Sequence, residues 1–248
     1  MSPEKNALVI IQARIESTRL PGKAMLELGG KPLLAHVIER AQAIRGVKRV
    51  VLATGDTPEN RVLLDLASSM GAGSFAGSLD DVLERYFKAA ELFPGDPIIR
   101  ITGDNPFTDP WQASSTLDYY YEKKADYAVA EGLPLGTGVE IVSRMALAEA
   151  HLRGRESYQR EHVTPYIREH SEIFKSVRRH AAILGAGENY RLTIDTPEDL
   201  EVARHIVAGA NEKGIIPLER IISFLRIHPE IAEINREIAQ RPMTHASK

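Results

Sequence analysis

A doubly wound α/β fold with a mostly parallel sheet follows from three features of this sequence. Ala7–Ala13 (ALVIIQA) is a near-continuous apolar run, short apolar runs alternate with helical patterns through the first half, and charged turns follow those runs directly. A run without polar alternation suits a strand covered on both faces. Strands that alternate with helices imply crossover connections and hence parallel pairing.

Ala7–Ala13 is the first strand, followed by a loop holding Arg14, Arg19, Pro21, Gly22 and Lys23 and by a turn at Gly29-Gly30. Pro32 suits the first position of a helix whose Leu33, Val37, Ala41 and Ile44 recur at helical spacing. Lys48–Thr54 is the second strand; Thr57 then caps a helix that starts at Pro58 and stops at Gly71. Asp80 is placed to cap the next helix, which ends at Pro94-Gly95. Pro97–Thr102 is the third strand, and Asp109-Pro110 opens another helix. Gly132–Ser143 reads as a loop entering a strand. Arg191–Asp195 reads as a strand that stops where Thr196-Pro197-Glu198-Asp199 opens a helix. From Pro217 two short helices follow, with Ile231, Ile234 and Ile238 on one face. The expectation is one domain, 1–248, with a helical extension from about residue 217.

The 248 residues are 43% hydrophobic and 26% charged, which provides for a sizeable core under an ordinary polar surface. A net charge of -3 offers no overall basic field for nucleic acid. No apolar run approaches the ~20 residues that span a bilayer, and no signal-peptide pattern opens the chain. A cytoplasmic protein without a membrane partner is expected. The absence of cysteine excludes disulfides, cysteine-ligated zinc and thiol catalysis. The histidines are scattered, and His162 belongs to no HExxH motif. Without a Gly-Lys-Ser/Thr ending, a GxGxxG turn or a GxSxG elbow, P-loop, dinucleotide and hydrolase chemistries are disfavoured.

In a parallel α/β sheet, ligands sit beyond the carboxyl ends of the strands, and three loops there carry chemistry. Ala13–Lys23 (ARIESTRLPGK) gathers Arg14, Arg19 and Lys23 at one strand end. Guanidinium forks, a compact ammonium and backbone N–H groups make an anion cradle dense enough for a triphosphate. On residue types alone the loop reads equally as a solvated basic turn. Asp104, in Thr102-Gly103-Asp104-Asn105-Pro106, points into the same crevice; on residue type alone it reads as a turn residue. Asp195 follows a third strand end and alone reads as a neighbour of a helix cap, while Asp199 suits the cap itself.

The stretch IIQARIESTRLPGKAMLELGGKPLLAHVIERA closely resembles the N-terminal signature of the cytidylyltransferase family, which activates octulosonate and acylneuraminate sugars. The motif is long: strand, Ala-Arg, small residues, Arg-Leu-Pro-Gly-Lys, then Gly-Lys-Pro-Leu. Ile-Asp-Thr-Pro-Glu-Asp-Leu-Glu similarly resembles the family's C-terminal motif, and the likeness runs to about Ile206. The resemblance implies a Rossmann-like nucleotide-diphospho-sugar transferase fold and transfer of CMP from CTP to a small polar acceptor. It implies Mg2+ on Asp104 and Asp195, and a CTP site built from Ala13, Arg14, Ser17, Arg19, Lys23, Gly77, Ser78, Thr102 and Asp104. Arg14, Lys23 and Asp104 would carry catalysis. In the segment Phe75–Tyr86, Asp80 or Asp81 reads equally as a cap, and Arg85 equally as a surface residue. Gly136–Ser143 and Arg160–Ile167 look like the branch named for spore-coat polysaccharide biosynthesis. Glu140, Arg160, Glu161 and His162 are the acceptor-side candidates; Glu161 and His162 read equally as exposed helix residues. That branch usually reads Gly-Leu-Asp-Val-Glu, but here Gly138 replaces the acidic residue and Glu140 remains.

Two other readings remain open. A nucleotide-sugar-dependent glycosyltransferase would share the fold but is expected to carry Asp-x-Asp where this chain has Gly-Asp-Asn-Pro. A non-catalytic nucleotide-binding module would need neither paired carboxylates nor a cationic loop. The resemblance also implies a homodimer.

Overall fold

The computed structural model describes residues 5–182, 189–210 and 214–240. Its strands are β1 (Ala7–Gln12), β2 (Glu27–Leu28), β3 (Lys31–Pro32), β4 (Val47–Gly55), β5 (Gly73–Gly77), β6 (Ile98–Thr102), β7 (Tyr127–Glu131), β8 (Glu140–Val142) and β9 (Ser176–His180). Its helices are α1 (Leu33–Gln42), α2 (Arg61–Ser69), α3 (Val82–Leu92), α4 (Pro110–Lys123), α5 (Arg144–Arg153), α6 (Ser157–His162), α7 (Pro165–Glu169), α8 (Pro197–Gly209), α9 (Leu218–Ile227) and α10 (Pro229–Glu233). Among these, none is long and apolar enough to cross a membrane.

Seven strands form the main sheet in the order β5-β4-β1-β6-β8-β7-β9. β1 pairs in parallel with β4 and β6, β4 with β5, and β7 with β9; β8 runs antiparallel to β6 and β7. The doubly wound, mostly parallel sheet is therefore as expected. β1 is buried on both faces: Ala7, Val9 and Ile11 join the core beneath α1, α4, α8 and α9, and Leu8 and Ile10 join the core beneath α3, α5 and α7. Leu218, Ile221, Ile222 and Leu225 of α9 lie in the first of these cores, not on a separate one.

Chain order reverses beside β1, with β4 on one side and β6 on the other. In open α/β sheets such a switch point is where ligands bind, beyond the carboxyl ends of the strands, here β1 and β6. Gln12 pairs with Thr102 there, and the Gly103 N–H donates to the Gln12 carbonyl at 2.7 Å. A Cβ on Gly103 would lie 2.7 Å from that of Ala13, so only glycine lets these two loops meet.

Several elements differ from expectation. Pro32 is the N-cap of α1, outside the helix, because it also closes the β2–β3 hairpin against Glu27. Asp81, not Asp80, caps α3: its Oδ1 accepts from Glu84 N–H at 2.8 Å. Arg191–Asp195 is no strand; a single bridge joins Arg191 to Leu135, and the rest is irregular chain with a bend at Thr193 that meets the Asp104 loop. β5, β7 and β9 carry weak local signals. β5 (GSFAG) has no β-branched residue and β9 (SVRRH) is a charged edge strand, and both are held by their neighbours' ladders.

Candidate active site

The crevice gathers the first loop, the Asp104 loop and the segment before α8. Lys23 enters from a short 3-10 turn (Lys23–Met25) that begins after Gly22, whose φ of +68° favours glycine. Its ammonium donates to Asp104 Oδ2 at 2.9 Å, Asp195 Oδ1 at 2.8 Å and the Ile194 carbonyl at 3.0 Å. Residues more than eighty and one hundred and seventy positions away thus share one cation. Burial acts to lower the Lys23 pKa, but the attraction of Asp104 and Asp195 outweighs it and holds the ammonium above its ordinary value.

Asp195 is held by two further cations, Arg19 on Oδ1 at 3.0 Å and Arg191 on Oδ2 at 2.8 Å. Burial would raise its pKa; Lys23, Arg19 and Arg191 together hold it below the ordinary 3.8. Arg191 is fixed from behind by Asp199, a buried carboxylate that also accepts from the N–H groups of Asp195 and Thr196. The Ile194 N–H donates to the Asp104 carbonyl at 2.8 Å, which stitches the two acidic segments together. Asp104 Oδ1 takes the Thr102 hydroxyl at 2.5 Å, and Asn105 donates to that hydroxyl at 2.8 Å.

Among the other expected nucleotide residues, Ala13 packs against Gly103, and Ser17 caps its own turn by accepting from Leu20 N–H at 3.3 Å. Arg14 is exposed and makes no ion pair among the described residues; it raises the positive potential around Arg85. Gly77 ends β5, and the Ser78 hydroxyl accepts from Asp81 N–H at 3.1 Å, which ties that side chain to its own loop.

Arg85 is not a surface residue. It is 2% exposed, and its guanidinium donates to the carbonyls of Ser78 (2.6 Å) and Leu79 (3.3 Å). Its Nε has no partner. Burial, the larger effect, and the nearby Arg14 both lower its pKa.

The structure separates the four residues expected to meet an acceptor. Glu140, the first residue of β8, lies in register with Arg100 of β6 and pairs with it at 2.6 Å. It also accepts from Tyr127 (2.5 Å) and Thr164 (2.7 Å), while Arg100 reaches Gln12 at 3.1 Å. Burial would raise the Glu140 pKa, but Arg100 and the two hydroxyls keep it below 4.5. His162 is half-buried within the field of Arg100 and Glu140, and burial holds its imidazole below its ordinary pKa. Arg160 instead grips Asp81 at the start of α3 and the His151 carbonyl at 2.9 Å. Glu161 is exposed.

Two residues at the site were not foreseen, and each left a signal. Arg100 interrupts an apolar strand (IIRIT), and a charge in a buried strand demands a counter-ion. Arg191 stands four and eight residues before Asp195 and Asp199, an acidic spacing that marks a network.

The donor set suits a hard divalent cation. Asp104 and Asp195 each place an oxygen within 3.0 Å of one ammonium, so one small cation can meet both. Among the described residues no group of three or more His, Cys, Asp or Glu could hold a metal. The remaining ligands would come from a nucleotide and water, the pattern Mg2+ accepts.

Residues 8–221 match the family described as Cytidylyltransferase. The chain is 34% identical over 230 residues to the spore coat polysaccharide biosynthesis protein SpsF of Bacillus subtilis, spanning 91% of this chain and 96% of that one. It is 28% identical to a 3-deoxy-manno-octulosonate cytidylyltransferase of Anaeromyxobacter dehalogenans, spanning 83% and 99%. The fold superimposes on that of a cytidylyltransferase from Leptospira borgpetersenii with a TM-score of 0.85 and 28% identity, covering 95% and 99% of the two chains.

Proposed function

The chain belongs to the cytidylyltransferase family and is a nucleotidyltransferase, and from that premise we propose that it transfers CMP from CTP, with Mg2+, to a sugar acid, phosphate or phosphonate. Pyrophosphate is the second product, and surface polysaccharide or glycoconjugate synthesis is the setting. The observation that carries this reading is the shared hold of Lys23 on Asp104 and Asp195 beside the cationic first loop. Paired carboxylates for a metal and a cradle for phosphates are what α-phosphate substitution requires.

An acceptor oxygen attacks the α-phosphorus in line. The new P–O bond forms as the bond to the bridging oxygen breaks, and pyrophosphate leaves with that electron pair. Arg14, Arg19 and Lys23 neutralise the phosphates; Asp104 and Asp195 would hold Mg2+, which would supply charge neutralisation at the α-phosphate and acidify the acceptor hydroxyl. The loop at Gly77 and Ser78 lies along the nucleoside. Glu140 and His162 face the acceptor; His162, whose imidazole burial holds below its ordinary pKa, can accept its hydroxyl hydrogen. The enzyme works in the cytoplasm as a homodimer, which light scattering of the purified protein would check.

The test is pyrophosphate release from CTP and Mg2+ with a panel of sugar acids, phosphates and phosphonates, repeated with ATP, GTP and UTP. Release that requires CTP and one acceptor is expected. Asp104→Asn should lower kcat by ~10²–10³ with folding retained, the scale seen when one group stabilising transition-state charge is removed. Full turnover in Asp104→Asn, or release independent of CTP, would overturn the assignment.

A further inference from the structure

We propose that Lys23 is the resident cation of the carboxylate pair in the free enzyme, and that a divalent metal enters only as the triphosphate draws this ammonium away. The proposal rests on the metal and nucleotide roles given above and adds a gate to them.

The pair is fully occupied without metal. All three N–H donors of an ammonium are spent on Asp104 Oδ2, Asp195 Oδ1 and the Ile194 carbonyl. The other two carboxylate oxygens are equally engaged, Asp104 Oδ1 by the Thr102 hydroxyl and Asp195 Oδ2 by Arg191. Arg19 shares Asp195 Oδ1. Two negative charges therefore face three cations, of which Arg191 alone among the described residues has a further carboxylate, Asp199. With Asp199 counted, three carboxylates balance three cations, so a dication approaching this group meets no net negative charge, and the ammonium stands between the pair it would need. To bind, it must displace an ammonium that has no other acidic partner among the described residues.

A triphosphate changes that balance. Its oxygens offer Lys23 and Arg19 new partners of higher charge density. Once Lys23 turns to them, Asp104 and Asp195 are left as two carboxylates with a vacant position between them. Metal and nucleotide then favour each other's binding by the same factor, since linkage is reciprocal. The gate also keeps free metal from occupying a site where it has no phosphate to neutralise.

The test uses Mn2+ as a magnetic stand-in for Mg2+, its free concentration read by electron paramagnetic resonance. The full-length protein is titrated alone and with saturating α,β-methylene-CTP, in wild type and in Lys23→Met. The gate predicts weak Mn2+ binding to the free wild type, tightened at least about tenfold by the nucleotide analogue, within the range usual for coupled sites. Free Lys23→Met should bind Mn2+ tighter than free wild type by a similar factor, and its nucleotide coupling should shrink by that factor to what the phosphate ligands alone supply. Circular dichroism confirms that the variant is folded, and Lys23→Arg, which keeps the charge, should stay weak. Equal Mn2+ affinity of free wild type and free Lys23→Met would remove the gate and leave the metal role standing. No Mn2+ binding even in the nucleotide complex would remove both.

Discussion

Replacing Asp199 tests whether the acidic centre is held from behind. Its side chain is 2% exposed and accepts five hydrogen bonds: two from Arg191 (2.9 and 3.2 Å), one each from the N–H groups of Asp195 (2.9 Å) and Thr196 (3.1 Å), and one from Asn235 (2.9 Å). Both oxygens are acceptors, so asparagine must turn its amide hydrogens toward donors on one side or the other. Asp199→Asn is therefore not conservative, and it leaves the buried Arg191 with Asp195 as its single carboxylate. Breaking one partner of a buried pair costs about 3–5 kcal/mol. In a chain of this size that corresponds to a fall in Tm of roughly 6–20 °C. Urea unfolding followed by circular dichroism measures the loss. Because Arg191 also fixes Asp195, kcat should fall in the fraction that remains folded. A variant within about 1 kcal/mol of wild type would refute the view that Asp199 is more than a helix cap.

The Glu140 carboxyl, held below 4.5 by Arg100 against the opposing effect of burial, contributes stability that is fully present above its unfolded pKa and is lost as pH falls through the lower folded value. Glu140→Gln should cost on the order of 3 kcal/mol at neutral pH and flatten the acid limb of the unfolding free energy; an unchanged acid limb would sink the assignment. Gly136 has a φ of +92°, and a Cβ there would lie 2.4 Å from the Thr193 backbone nitrogen. Gly136→Ala should destabilise by at least ~1–3 kcal/mol, seen as a lowered Tm, because the segment carrying Asp195 must move.

Much of the site was legible because local chemistry announces itself. A doubly buried strand favours an apolar run, so Ala7–Gln12 could be read directly, and Ile98–Thr102 could be read despite the charge of Arg100 within it. Turn chemistry marked the helix starts at Asp109 and at Thr196–Asp199, although the cap of α8 is Thr196, with Asp199 three residues on in the capping box, and not the expected Asp199; the ARIESTRLPGK loop carried both its charge and its family likeness. Strands β5, β7 and β9 were not legible, since the ladders of adjacent strands hold them and their own composition does not.

What the sequence determined by itself is the set of local preferences: which runs must be buried, which turns carry charge, and which motif they compose. Only the tertiary structure decided which charges meet. Lys23, Asp104 and Asp195 converge because strand order reverses beside β1 and the Arg191–Asp195 segment meets the Asp104 loop. Arg100 finds Glu140 through antiparallel register, while Arg160 is drawn to Asp81 on a different helix. Attraction between exposed charges is largely screened beyond about 8 Å at physiological salt, so partners far apart in sequence are chosen by where the backbone places them, and that placement follows from packing across the whole sheet.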